Sequence, residues 1–160
     1  MKKRTRRKVW ALVDPVAHAI AGAVITPDKL LDELRLLELS HLSAMRNGTA
    51  GLAQWRALTD MLNLCETMAK GGIGPEALPS CKAAEDALMA AAGRFERTGR
   101  MAMLHDEYRA LVDVQQYHDL QRQCVSRAEY ERWIRLTAAR IRGKVAGVRD
   151  VADEIEVVAI

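Results

Sequence analysis

Apolar residues recur at helical spacing through most of this chain. From Leu30, the series Leu34, Leu37, His41 and Met45 marks one face, widened by Leu31 and Leu42. Thr26-Pro27-Asp28 supplies a start, because proline at the first helical position forfeits no intrahelical bond and an acid in the first turn suits the helix dipole. Asn47-Gly48 supplies a stop, since both residues tolerate the left-handed turn. A second helix is predicted over 50–70 with Thr49 as its cap. Trp55, Leu58, Leu62, Cys65 and Ala69 face one way there, flanked by Leu52, Met61, Leu64 and Met68. So broad an apolar surface marks it as the central helix of a bundle. Gly71-Gly72, Gly74-Pro75 and Pro79 then make the clearest break, a loop with the composition of a hinge between two helical halves.

Ser80 is placed to cap a third long helix over 81–97, with Ala84, Leu88, Ala91 and Phe95 inward. Gly99 marks a turn or kink, and the segment 100–122 presents Met101, Leu104, Tyr108, Leu111, Val114 and His118. Ser126-Arg127-Ala128-Glu129 has the form of a capping box. The helix it opens runs to about 142, with Tyr130, Ile134, Thr137 and Ile141 inward and Gly143 as terminator. Asp14-Pro15 predicts a further short helix over 15–21. The expected fold is all-α: a compact bundle of four long helices plus a short N-terminal helix, with a basic N-terminal arm and an acidic C-terminal tail. The corresponding division is an arm over 1–13, the bundle over 14–143, and a flexible or partner-bound tail over 144–160.

Composition supports helices over sheet. Of 160 residues 49% are hydrophobic but only 4% aromatic, so Ala, Leu and Met supply the core, as close helix packing prefers. Cys65, Cys81 and Cys124 are an odd number at wide spacing, and read as small buried side chains or free thiols rather than a disulfide framework. No apolar run is long enough to span a bilayer, so integral membrane insertion is not expected, and a cytoplasmic location is. The net charge of +3 hides a strong pattern. Residues 2–8 hold six Lys or Arg, residues 9–126 hold 11 basic against 15 acidic side chains, and residues 127–149 are again basic before an acidic end. Two local patches, not a global field, must account for attraction to a polyanion.

Candidate chemistry is sparse. Gly71-Gly72-Ile73-Gly74 lacks the Lys-Ser/Thr of a phosphate loop, and no His-Glu-x-x-His, Cys-x-x-Cys or nucleophile elbow is present. A thiol nucleophile would have to be Cys124 with His118 as base and Asp119 behind it, but those residues diverge on one continuous helix. A structural zinc site would need Cys65, Cys81 and Cys124 to converge with His105 or His118. Adjacent acids such as Asp106-Glu107 point apart and read as a solvated face. No catalytic residue, metal or cofactor is therefore expected.

Binding has stronger candidates. Lys2, Lys3, Arg4, Arg6, Arg7 and Lys8 can meet phosphates or an acidic protein surface without a fixed fold. Arg132, Arg135 and Arg142 share one broad face of the last helix and can contact backbone phosphates, although few amide side chains are there to read base edges. Trp10, next to the arm, and Trp133, beside Arg132, are candidate interface anchors. The partner classes are a protein, a nucleic acid or a second copy of the chain.

One resemblance bears on these choices. Leu12-Val13-Asp14-Pro15-Val16-Ala17 behind Lys2–Lys8 resembles the opening of small uncharacterised proteins encoded in phages and prophages of proteobacteria. The likeness continues through Met61–Ala69, the alanine-rich Ala83–Ala92 with Gly93-Arg94, and Leu111–Cys124, while Val145–Ile160 departs from it. It carries over no functional residue. It implies phage regulation, replication support or interference with a host system, and the leading expectation is a non-catalytic accessory or regulatory protein that binds a host or phage macromolecule through an exposed helical face. A nucleic-acid-binding protein is the alternative, and an enzyme centred on His118 and Cys124 ranks third.

Overall fold

A computed structural model describes residues 28–145. Five α-helices follow one another: α1 (Asp28–Asn47), α2 (Leu52–Lys70), α3 (Leu78–Thr98), α4 (His105–Cys124) and α5 (Arg127–Val145), with a 3-10 turn over Pro75–Ala77 leading into α3. The all-α expectation holds, with a correction. Among the described residues there are five long helices rather than four, the segment after Ser126 running 19 residues and matching its neighbours in length. The short helix expected over 15–21 and the arm and tail lie outside the described residues.

The helix α2 is central, as its wide apolar surface requires, and packs against each of the other four. Leu58, Met61, Leu62, Cys65 and Ala69 on α2 meet Leu42 and Met45 of α1, Ala84, Leu88 and Ala91 of α3, and Leu111 and Val114 of α4. The alanines of α3 let its backbone come close, and Trp55 Nε1 donates to Leu88 O at 2.9 Å across that contact. A second cluster seats α5: Leu64, Met68 and Val125 pack with Ile73, Tyr130, Trp133 and Ile134.

Several helix starts differ from the sequence expectation because unexpected groups take the free amides. Gly51, not Thr49, caps α2; its N–H donates to Gln54 Oε1 at 2.8 Å, while Thr49 bonds back to Ala44 O. Ser80 is no cap, since the 3-10 turn after Gly74 feeds α3 directly from Leu78. The segment after Gly99 stays extended to Leu104, where Glu107 accepts the Leu104 amide at 2.8 Å and starts α4. That extended segment plugs Met101 and Met103 into the core, held by Met103 N–H donating to Met45 O at 3.1 Å, and leaves Leu104 exposed. Ser126 accepts the Glu129 amide at 3.2 Å, the forward half of the expected capping box.

The rotation of α1 is the main departure. Leu31, Leu42 and Met45 are buried, but Leu30 and Leu37 of the expected inward stripe are exposed, together with Leu36 and Leu39. The half-buried Glu38 occupies the inward face instead. The turn after α1 is built for a close crossing: Gly48 has φ +70°, and the Arg100 guanidinium lies where a side chain at Gly48 would sit. Leu42→Ala is expected to lower unfolding free energy in urea by about 2–5 kcal/mol, as for a fully buried leucine. Leu37→Ala should cost under about 0.5 kcal/mol, as for a surface position. Equal losses at the two positions would show that α1 is turned the other way.

Candidate functional site

The inward face of α4 begins apolar and ends polar. Leu111 and Val114 are followed at helical spacing by Gln115, His118, Gln121 and Arg122, all of them buried. Burying these groups is tolerable only if each finds partners.

Arg122 is 3% exposed and donates from both terminal guanidinium nitrogens to the two carboxylate oxygens of Glu38, at 2.6 and 2.8 Å. Gln115 Nε2 donates to Glu38 at 3.2 Å. Asp119 stands 3.4 Å from Arg122 and accepts Arg35 Nε at 2.9 Å, and Arg35 also meets Asp32 at 2.7 Å. Alternating charges thus run Asp32, Arg35, Asp119, Arg122, Glu38 from the surface inward, binding α1 to α4. Burial works against the charge on Arg122, but the Glu38 bonds outweigh it and hold the group charged, with its pKa raised.

A neutral network lies beside this chain. Gln121 Nε2 donates to Cys65 O at 3.1 Å and to Ile73 O at 2.7 Å, which turns its Oε1 toward His118 Nδ1, 3.1 Å away. That orientation places the His118 proton on Nδ1. Nε2 is left to accept the Tyr130 hydroxyl at 3.0 Å. Burial pushes the Tyr130 phenol up to about 12, so it keeps its proton and serves as the donor. One histidine and one glutamine therefore connect α2, the glycine loop, α4 and α5.

Both ring nitrogens of His118 are occupied by Gln121 and Tyr130, and Cys124 is an exposed thiol at the end of α4. The pair does not form. Of the three cysteines, Cys65 and Cys81 meet inside the bundle and Cys124 does not join them. Among the described residues no three His, Cys, Asp or Glu side chains are grouped as a metal ligand set. No helix among them is long and apolar enough to cross a membrane.

Arg132, Arg135 and Arg142 lie exposed on α5, whereas Arg140 turns in to Glu66 and to Asn63 O, and Arg127 pairs with Glu131. Trp133 covers the core edge: its ring lies against Gly71, where a side chain would collide with it. Lys2, Lys3, Arg4, Arg6, Arg7, Lys8 and Trp10 lie outside the described residues.

The surface feature that the sequence reading missed is an open groove of about 320 Å³ between α1 and α4. Arg35, Gln115, Gln116 and Asp119 line it, and Leu39 and Leu120 contribute apolar walls. Leu120 is 58% exposed, and Leu36, one turn from Leu39, is 69% exposed. A usable sequence signal existed in the polar run Gln115, His118, Gln121, Arg122 continuing an apolar stripe. No family model, curated protein or solved structure matches the chain.

The buried histidine has a measurable consequence. Burial, reinforced by the nearby Arg122 charge, pushes the His118 pKa down to about 4 from an ordinary 6.5. Between those values the unfolded chain takes up a proton that the folded chain refuses, so stability falls as pH drops through this range. Asp60 opposes this: burial raises its carboxyl to about 6 from 3.8, so the folded state binds the proton first and gains stability as pH falls. Asp60→Asn should expose the His118 contribution. Its urea unfolding free energy is expected to drop by roughly 3 kcal/mol between about pH 6.5 and pH 4, at about 1.4 kcal/mol per pKa unit, and by more than that of the unaltered protein. A drop of under about 1 kcal/mol in Asp60→Asn over this range would mean that His118 is not held neutral.

Proposed function

We propose that this chain is a non-catalytic, phage-type accessory protein that binds another protein, of the host or of a phage, and acts by occupying its surface. The groove between α1 and α4 is the seat of binding. One observation carries this reading: leucines 36, 39 and 120 are exposed along a groove lined by the Arg35–Asp119 ion pair. Apolar side chains beside a small number of oriented polar groups suit a partner helix that inserts one or two large residues. Apart from Arg122 Nε, which has no hydrogen-bond partner, the polar groups beneath the groove are spent on one another, which fits a scaffold better than a reaction centre. The resemblance to phage and prophage proteins supports the accessory role, and the basic arm at 2–8 would speed encounter with an acidic partner.

A second reading rests on Arg132, Arg135 and Arg142. Their spacing of three and seven residues carries charge along about 15 Å of the outward face of α5, enough for several phosphate contacts on a nucleic acid.

Affinity capture from host cells, with and without nuclease, separates the two. Leu36→Lys with Leu120→Lys alters only side chains that are more than half exposed, so the circular dichroism and melting temperature should stay near those of the unaltered protein. Partner capture should fall at least about tenfold, a loss of about 1.4 kcal/mol, and be insensitive to nuclease. Arg132→Ala with Arg135→Ala and Arg142→Ala should leave capture intact. Nuclease-sensitive capture that follows the arginines instead would replace the protein-binding reading with the nucleic-acid one.

A further inference from the structure

Cys65 on α2 and Cys81 in the first turns of α3 come from different helices, and their sulfur atoms lie 3.8 Å apart. Both are buried, at 0% and 3% exposure, while Cys124 is exposed. We propose that Cys65 and Cys81 form a reversible disulfide site, closed by a peroxide and opened by thiols, that staples α2 to α3.

The sulfurs are already in contact, and closure to a bond of about 2.05 Å needs an approach of under about 2 Å. Cys81 is placed to yield it. It sits just beyond the 3-10 turn and the glycine loop, where α3 starts without a side-chain cap. The two thiols also differ in character. Their contact favours the thiolate on Cys81, against the cost of burial and the nearby Glu66 carboxylate and with help from Lys70 and Arg140. Contact and burial together hold the Cys65 thiol protonated.

In the first step the Cys81 thiolate attacks one oxygen of hydrogen peroxide. The O–O bond breaks, a sulfenic acid forms, and the leaving hydroxide takes up a proton as water. The Cys65 sulfur then attacks the sulfenic sulfur. The S–O bond breaks, the S–S bond forms, and the Cys65 proton leaves with hydroxide as a second water. Two thiols are oxidised by two electrons in all, and one peroxide is reduced to two waters. Reduction by two small thiols reverses the bond through a mixed disulfide.

The closed ring would enclose the whole glycine loop, including Ile73, whose carbonyl accepts Gln121, and Gly71, on which Trp133 rests. Oxidation would therefore lock the element that supports both α4 and α5.

The test uses the full chain carrying Cys124→Ser, which removes the exposed thiol as a source of intermolecular bonds. Native protein is treated with hydrogen peroxide, denatured, alkylated and mapped by peptide mass. The expected result is a linked Cys65–Cys81 peptide pair lacking two hydrogens, restored to two alkylated thiols by prior reduction. The melting temperature of the oxidised form should rise by about 5–10 °C, as a ring of this size predicts. Cys65→Ala and Cys81→Ala, each small enough for its site, should abolish the link and leave one thiol open to alkylation. Two thiols that stay free in the native protein, or a Cys81 carried only to sulfinic or sulfonic acid, would overturn the proposal.

Discussion

A guanidinium buried at the end of α4 constrains this bundle more than any apolar contact does. Arg122 has almost no access to water, and an unpaired charge in that position would cost several kcal/mol. Its two-pronged bond to Glu38 removes the penalty, but only when α1 presents residue 38 toward α4. That requirement fixes the rotation of α1. With Glu38 inward, Leu31, Leu42 and Met45 enter the core, and Leu30, Leu36, Leu37 and Leu39 are left outside. The groove and its leucine rim follow from the same geometry, so the surface proposed for partner binding results from a buried ion pair.

The neutral network does comparable work on the other side of α4. Alanine- and leucine-rich faces pack in several registers at similar energy, because one small apolar contact substitutes for another. Directional bonds do not allow that. Gln121 must reach the carbonyls of Cys65 and Ile73 together, and His118 must meet both Gln121 and Tyr130. Sliding any one helix by a residue would leave several buried polar atoms without partners, at about 1–3 kcal/mol each. The network thus selects one arrangement of α2, α4, α5 and the glycine loop, while the apolar clusters supply most of the stability.

The helices were legible in the sequence wherever the apolar period was regular. Trp55, Leu58, Cys65, Ala84, Leu88, Leu111 and Val114 fall on the faces their spacing predicts. Helix starts were less legible, because Gln54 and Glu107 cap from within their helices while Thr49 and Ser80, the better cap residues by type, do not cap at all. The rotation of α1 was ambiguous for a physical reason: leucines at 30, 31, 34, 36, 37, 39 and 42 surround so much of the helix that period alone leaves its inward face open. Arg122 was hidden by convention, since an arginine in the last turn of a helix is ordinarily a solvated partner of the dipole. Its position four residues after His118 and eight after Val114, both on the predicted inward stripe, pointed inward. The exposed placement of Arg132, Arg135 and Arg142 was readable because the opposite side of α5 carries Tyr130, Ile134 and Thr137.

A double-mutant cycle on Glu38 and Arg122 addresses the central claim most directly. Unfolding free energies would be compared for the unaltered protein, Glu38→Leu, Arg122→Met and the two substitutions combined. Each single change should cost about 3–5 kcal/mol, and the combination should cost less than their sum by about 2 kcal/mol or more, since no charge is then left buried alone. Costs that add to within about 0.5 kcal/mol would contradict the account, because the two side chains would then be independent and something other than their pairing would orient α1.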